Sequence, residues 1–372
     1  MISNEMAAEE IVLKAGGQIY EGWTKVSVTR SLDAMSGAFD LELTWKYQGS
    51  EQQYKKFMEP IKQGQACTVD IGGERVITGY VDDFIPSYDD ASVTISVSGR
   101  DKTADLVDCS IDYPSGQFNS QTITQIAEIV CKPFGIKVIV NTDVGEPFQR
   151  IQIEQGETPH ELLSRLAKQR GVLLTSDTFG NLVITRASKV KAGVSLILGE
   201  NVKAARGRFS WRQRYSNFTI KAAGAAHGKD WDPAALTSVG GIKADVKDNE
   251  IGRYRPLIIV NEEITTAEGA AKRGQWERQR SIAKANSVEY TVTGWRIPQT
   301  GKLWNINTLV PVIDEIMGLD EEMLILSIMF SEDESGRLAV ISVVRPDAMD
   351  IPAEVVKATK LTGSDWKQPN GN

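Results

Sequence analysis

Alternation of apolar and polar residues near both ends of the chain is the feature that most constrains its fold. Residues 39–45 and 93–98 alternate strictly, and an acidic turn precedes the second stretch. Val288, Tyr290 and Val292 alternate near the other end, and residues 324–330 and 338–344 flank a polar turn at 333–336, which predicts a hairpin. A period of two is typical of strands with one buried face. Short strands joined by tight turns favour a small barrel or sandwich at each end.

Two helix–strand units are predicted in the middle of the chain. Thr122 begins a helix with capping-box spacing, and Thr158 begins another that has proline at its first position. Gly135 and Gly171 end the two helices, and strand-like residues follow each glycine. The same number of residues separates Thr122 from Thr158 and Gly135 from Gly171, which indicates an internal duplication. Chance similarity between two amphipathic helices is the alternative.

The length of 372 residues predicts two or three domains at about 150 residues each. We predict an α+β fold that is mainly β, with a first β-barrel domain over 1–105 and an α+β domain over 106–200. A second β-barrel domain is predicted over 201–350, with a Gly-, Ala- and Asp-rich loop or inserted subdomain near 221–256. Residues 351–372 form a C-terminal tail.

A second duplication is indicated by residues 93–101, which resemble residues 340–347. Each stretch follows an acidic turn and ends in an aspartate, Asp101 or Asp347. This similarity predicts two related β-barrels that flank the α+β domain. Because short strands resemble one another easily, an accidental similarity stays open.

Side chains that could carry catalysis are sparse. The histidines are His160, in a predicted first helical turn, and His227, in a Gly/Ala stretch, and neither has a nucleophile pattern beside it. The cysteines Cys67, Cys109 and Cys131 lack the spacing of a zinc site. HExxH, GxSxG and Walker motifs do not occur. We therefore predict no enzyme, no cofactor, no metal and no catalytic or binding residue.

Adjacent acidic residues are the remaining candidates for acid–base or calcium chemistry. They lie at residues 82–83, 89–90, 262–263 and 320–322. Neighbours on a strand point to opposite faces, so such a pair does not converge on one substrate or ion. We predict that these acids lie in solvated turns and at the ends of strands.

The segment 206–215 has an unusual pattern in which arginines and aromatic residues alternate. As a strand it would have a basic face and an aromatic face. One interpretation is a nucleic-acid surface, with arginines on phosphates and rings for stacking. The other is an aromatic core face whose arginines meet acids of another domain or subunit. The net charge of −7 favours the second interpretation, as it does for the basic helix predicted over 267–285, which we expect to be solvated or subunit-facing.

Localisation follows from the N-terminus and from hydropathy. Residues 1–10 contain acids and no apolar core, unlike a signal peptide. No apolar run approaches the roughly 20 residues that a membrane helix needs. We expect a protein made in the cytoplasm, without stable membrane insertion.

Five stretches, 157–171, 180–184, 212–224, 301–312 and 325–346, resemble the baseplate hub proteins of contractile-tailed bacteriophages. These include the late control protein D family and the Mu-like tail hubs, and the hub part of type VI secretion spike proteins is related. The resemblance covers nearly the whole chain, except that 221–256 does not align.

The resemblance implies a homotrimer in which each subunit supplies two tube-like β-barrel domains. Six barrels would form a ring that joins the sixfold tail tube to the threefold central spike. DNA would pass through the channel without sequence-specific binding, and the protein would lie in the virion, in the tail baseplate. The family's hubs have no catalytic residues of their own. Two other functions stay open: nucleic-acid binding by the strand 206–215, and peptidoglycan binding by the two similar helices.

Overall fold

The computed structural model describes residues 10–46, 61–224, 242–265 and 267–349, and the fold is mainly β. The N-terminal strands are β1 (Ile11–Ala15), β2 (Gln18–Tyr20), β3 (Lys25–Ser31), β4 (Ala38–Lys46), β5 (Ala66–Ile71), β6 (Glu74–Tyr88) and β7 (Ser92–Asp101). The middle of the chain contains α1 (Asp105–Asp108), β8 (Gln117–Gln121), α2 (Ile123–Cys131), β9 (Val138–Val140), β10 (Phe148–Gln152), α3 (Pro159–Arg170), β11 (Leu173–Ser176) and β12 (Leu182–Thr185).

The rest of the chain returns to β structure around one long helix. Its elements are β13 (Leu196–Ile197), β14 (Val202–Phe209), β15 (Asn217–Gly224), β16 (Ile242–Lys247), β17 (Pro256–Thr265), α4 (Ala267–Ala285), β18 (Asn286–Thr293), β19 (Leu309–Asp314), β20 (Leu319–Asp333) and β21 (Gly336–Val344). Short 3₁₀ turns lie at Lys102–Ala104, Lys132–Phe134 and Pro346–Ala348. The alternating stretches 39–45 and 93–98 lie in strands β4 and β7, and the predicted hairpin is formed by β20 and β21, which confirms these predictions.

Strands from both ends of the chain form a single 13-stranded sheet. Its order is β14-β18-β21-β20-β3-β4-β7-β6-β5-β1-β2, and β19 joins β20 and β13 beside this path. The pairing of β20 with β3 connects the two ends of the chain. Among the described residues the pairings form an open path, so neither predicted barrel is present as a closed sheet.

The strand order occurs twice within this sheet. The first half has β3-β4-β7-β6-β5, and the second half has β14-β18-β21-β20-β19, in each case with antiparallel neighbours. The long strands β6 and β20 each have 15 residues, and each contains a shift in its register against the next strand. The chain therefore contains two β units with the same topology, as the repeated hairpin motif predicts.

The alignment of the repeated motif differs from the one that the sequence suggested. Asp101 directly precedes the 3₁₀ turn after β7, whereas Asp347 lies inside the 3₁₀ turn after β21. The residue in the position of Asp101 is Arg345. The sequence comparison matched Asp101 with Asp347, and this match was wrong. Similar strand residues do not determine how many residues lie between the strand and the turn that follows.

Both halves of the sheet contribute to one hydrophobic core. Leu13, Val97, Trp295, Phe330 and Ile341 belong to one cluster of buried side chains that includes strands of both halves. Complete burial of a large apolar side chain stabilises a fold by about 1.5–3 kcal/mol. The core therefore binds the two β units into one body.

The middle region confirms the two predicted helix–strand units. Thr122 and Thr158 each accept a hydrogen bond in a complete capping box, at α2 and α3 respectively. Gly135 and Gly171 both have the left-handed conformation, which glycine adopts without a Cβ penalty. The strands that follow, β9 and β11, lie on the two sides of β12. The two units thus share a single small sheet.

A buried carboxylate, that of Asp101, links the first half of the sheet to the middle region. It accepts hydrogen bonds from the backbone N–H groups of Gly37 at 2.7 Å and Thr103 at 3.0 Å, and from the hydroxyl of Ser176 in β11. Arg30 of β3 donates to the carbonyl oxygen of Ser176 at 2.8 Å. Strand β7 is therefore fixed to the middle region by polar contacts.

The described residues divide into two compact units, those up to 214 together with 279–349, and those within 215–278. In the second unit β15 lies between antiparallel β16 and parallel β17. Ile220, Ala244 and Ala270 form its small core. Within the range 221–256, which was expected to be a loop or subdomain, residues 225–241 lie outside the described part of the chain.

Candidate assembly edges

The C-terminal part of β6 forms one open edge of the large sheet. Residues 74–80 of this strand pair with β5 on one side, and residues 79–88 pair with β7 on the other. The backbone of Val81 still bonds with Gly64 and Gln65, but beyond Val81 the side that faced β5 has no neighbouring strand among the described residues. An open strand edge offers backbone N–H and C=O groups to another chain.

The β6 edge is acidic and carries large exposed side chains. Ile85 is 57% exposed and Tyr88 is 82% exposed. Asp83 is exposed beside them, and Asp82 accepts a hydrogen bond from Arg100 at 2.7 Å. In the turn that follows, hydrogen bonds from backbone N–H groups and Ser92 hold the pKa of Asp89 below its usual range. That carboxylate is charged at neutral pH.

The second open edge is β14, which pairs along its length with β18. Arg206 and Arg208 are exposed on this strand, and Phe209 at its end is 57% exposed. No other long strand lies beside β14 among the described residues. This edge is therefore basic and partly apolar, whereas the β6 edge is acidic.

The structure corrects the prediction of one strand over residues 206–215. Strand β14 ends at Phe209, and the N–H of Arg214 donates to the carbonyl of Trp211 at 3.2 Å in a turn. Phe209 and Trp211 are exposed, so they do not form an aromatic core face, and Arg214 is buried. The sequence alternates beyond Phe209 although the strand ends there. Residues in a turn follow no fixed period, so their side chains can match an alternating pattern without forming a strand.

The joint between β20 and β3 shows how such an edge is filled inside the chain. Residues 327–332 of β20 pair with residues 26–31 of β3 in antiparallel register. Lys25, at the start of β3, donates a hydrogen bond to Glu42 at 2.7 Å. This bond raises the pKa of Lys25, and the charges of Glu334 and Asp333 contribute to the same direction. A basic strand end thus lies near the acidic tip of a hairpin.

Of the two histidines, the structure describes only His160. His160 is half-buried in the first turn of α3, and burial lowers its pKa. Its neighbour Glu157 is buried and accepts from Arg165 at 3.1 Å. His227 lies outside the described residues. In the described ranges no group of three or more histidine, cysteine, aspartate or glutamate side chains is placed to hold a metal ion.

The acidic runs and the basic helix have local partners. Asp320 and Glu321 are exposed at the start of β20, and Glu322 forms an ion pair with Lys191 at 2.9 Å. The side chains at 262–263 lie outside the described residues. In α4, Arg273 pairs with Glu277 at 2.7 Å. None of the helices in the described ranges has the length and apolar character that crossing a membrane requires.

Three family models match successive parts of the chain. "Mu phage baseplate assembly protein GpP-like, N-terminal" matches residues 10–101, and "Baseplate hub protein gp44-like, second domain" matches residues 103–186. "Mu phage baseplate assembly protein GpP, fourth domain" matches residues 265–352. The chain is also 33% identical over 358 residues to baseplate hub protein gp44 of Escherichia phage Mu, covering 95% of this chain and 92% of that protein. The chain belongs to this family of baseplate hub proteins.

Solved structures give the same result for this hub protein. The 43 kDa tail protein of prophage MuSo2 from Shewanella oneidensis has 83% identity and a TM-score of 0.83, with 92% of this chain and 100% of that chain covered. The tail protein from Neisseria meningitidis MC58 has 20% identity and a TM-score of 0.79, over 93% and 99% of the two chains. The second match shows a shared fold. The resemblance found in the sequence is confirmed, and the protein is a structural component of a phage tail.

Proposed function

We propose that this protein is a homotrimeric hub of the tail baseplate, joining the sixfold tail tube to the threefold central spike around a channel for DNA. We assign residues 1–105 and 201–350 to two tube-like domains, 106–200 to the α+β domain between them, and 351–372 to a C-terminal tail. The protein is made in the host cytoplasm and acts in the virion. It has no catalytic step of its own.

The observation that carries this proposal is the strand order that occurs twice in one chain. Three copies of a chain with two similar β units place six similar units around one axis. Such a ring has sixfold character toward a tube and threefold symmetry toward a spike. The two units are related but unequal, as a connection between these symmetries requires.

The outward face of the sheet supports a role in DNA passage. Polar side chains on this face include hydroxyls and acids, among them Asp40, Ser96, Ser98, Glu289 and Thr291, which are exposed or half-buried. Basic side chains lie among them: Lys25 and Arg100 form ion pairs with Glu42 and Asp82, and Arg206 and Arg208 lie at the β14 edge. A wall on which acids accompany the basic side chains attracts phosphate groups weakly, because affinity for DNA depends mainly on lysine and arginine that no acid neutralises. We assign this face to the channel, where DNA passes without being held.

Native mass spectrometry of the purified protein, alone and with the tail tube and spike proteins of the same phage, tests the proposal. We expect a species of three copies that binds both partners. A protein that stays monomeric in all mixtures would overturn the hub assignment. A salt-sensitive gel shift of single-stranded DNA by the free protein would favour nucleic-acid binding instead.

A further inference from the structure

We propose that β6 of one copy pairs with β14 of the next copy, so that the joint between β20 and β3 recurs between subunits. This inference rests on the proposed function, since it specifies how neighbouring copies of the hub contact each other. In the repeated strand order, β6 matches β20 and β14 matches β3. Strand β20 binds β3 along the same side that β6 leaves open beyond Val81.

The bulges align β6 with β20 residue by residue. In each long strand the register shifts directly before one residue, Ser327 in β20 and Asp83 in β6. Counted from these points, Ile85 takes the place of Met329. Met329 pairs with Thr29 of β3 inside the chain. Ile85 should therefore face the residue of β14 that corresponds to Thr29.

The neighbouring strands identify that residue as Arg208. Thr29 pairs with Ala38 of β4, and Arg208 pairs with Ser287 of β18. Strand β4 pairs with β7, and strand β18 pairs with β21. When the bulged hairpins β6–β7 and β20–β21 are superposed, these pairings put Ala38 and Ser287 at matching positions. Arg208 of one copy therefore faces Ile85 of the next, and the rest of the register follows.

The side chains fit this register on both faces of the joint. Phe209 would lie opposite Phe84 on the side of the core, and cross-strand aromatic pairs stabilise a sheet. On the outer face, Asp83 is the diagonal neighbour of Arg208, at a separation of about 7–8 Å that a long side chain can span. The exposed aromatic ring and the exposed arginine of β14 thus both gain partners.

Charge disfavours the pairing of two identical edges. An antiparallel pair of two β6 edges would bring the acids at 82–83 of one copy near the acidic turn at 89–90 of the other. Two β14 edges would place Arg206 and Arg208 against their own copies. Like charges across a strand pair are destabilising. Each acidic edge therefore pairs with a basic edge, which produces a head-to-tail contact between copies. Such contacts form a closed ring when the rotation from one copy to the next completes a full circle.

Disulfide trapping tests this register directly. The starting variant is Cys109→Ser, which removes the exposed thiol, while burial raises the pKa of both Cys67 and Cys131 to about 12 and keeps these thiols unreactive. Into it we place Ile85→Cys together with Arg208→Cys. Oxidation should give covalent dimers and trimers on a non-reducing gel, and a reductant should reverse them.

Three controls separate this register from other contacts. Ser87→Cys with Arg206→Cys lies in the same register and should form the same ladder. Ile85→Cys with Ala204→Cys is four residues out of register, about 13 Å along the strand, and should not. Each single-cysteine variant should stay uncross-linked, because the contact is head-to-tail. Circular dichroism establishes that each variant is folded.

The outcomes distinguish the edge pairing from the hub assignment. Trimers in native mass spectra without a ladder from either in-register pair would overturn the pairing and leave the hub assignment standing. A ladder from a single-cysteine variant would show that identical edges meet, which also overturns the pairing. A protein that is monomeric both alone and with its tail partners would overturn the hub assignment itself.

Discussion

The two halves of the large sheet share a strand order, but their second hairpins end differently. Strand β7 ends in Asp101, which is 2% exposed and accepts hydrogen bonds from the middle region. At the matching position after β21 stands Arg345, an exposed residue 3.5 Å from Asp347. The backbone topology was retained where both halves build one core. The polar residues diverged where each half meets a different neighbour.

The edges of the two halves differ in the same manner. Inside the chain β20 covers the edge of β3, whereas β6 and β14 have open edges among the described residues. The two β units pair edge to edge inside the chain, and the equivalent pair of edges is left open. Such an arrangement is suited to assembly, because another copy of the same chain can pair with each open edge. The comparison of the halves therefore bears on both stability and assembly.

The largest difference between the halves should appear on substituting Asp101. Asp101→Ala should lower the free energy of unfolding by at least about 3 kcal/mol, because several buried donors lose their acceptor. Arg345→Ala at the matching position should change it by less than about 0.5 kcal/mol. Urea unfolding followed by circular dichroism at pH 7 measures both values. Equal losses would show that Asp101 has no special role at this junction.

A smaller difference is expected between Asp70 in β5 and Asp314 in β19, two buried aspartates near the ends of corresponding strands. Burial raises the pKa of Asp70, but the hydrogen bonds and charges of Lys14 and Arg75 outweigh burial and hold that pKa below its usual value. Asp314 instead accepts from the backbone N–H of Ile316 at 2.9 Å. Asp70→Asn should cost about 2 kcal/mol at pH 7. Asp314→Asn keeps an acceptor oxygen and should cost under about 1 kcal/mol.

The pH dependence of the Asp70 effect follows from the sign of its shift. A carboxylate with a depressed folded pKa stabilises the protein above its unfolded pKa of about 3.9, and this contribution is lost as the pH falls through the folded value. The difference between wild type and Asp70→Asn should therefore shrink below about pH 4. An unchanged difference between pH 7 and pH 3 would refute the ion-pair account.

The smallest effects are expected at the helix caps of the middle region. Thr122→Ala and Thr158→Ala each remove an N-cap acceptor and should each cost about 1 kcal/mol. Thermal unfolding measures the loss, and Thr158→Ser, which retains a hydroxyl acceptor, is the matched control. If serine were as damaging as alanine, the capping hydrogen bond would not be the cause.

Local signals in the sequence predicted the strands, the caps and the helix ends. Thr158 and Gly171, for example, act through hydrogen bonds and backbone conformation within a few residues, so the spacing alone identifies them. The joint of β20 with β3 was not predicted, because alternation marks a strand but not its neighbour. The burial of Asp101 was missed for a similar reason, since its partner Ser176 is distant in sequence.

A cryo-electron microscopy reconstruction of the hub at a resolution that separates strands tests the central claim most directly. The account predicts a closed ring of three copies, in which β14 of each copy runs antiparallel to β6 of the next at about 4.7–4.9 Å. Six similar β units would then surround the channel. A ring with a different number of copies, or one in which these two edges face solvent, would contradict it.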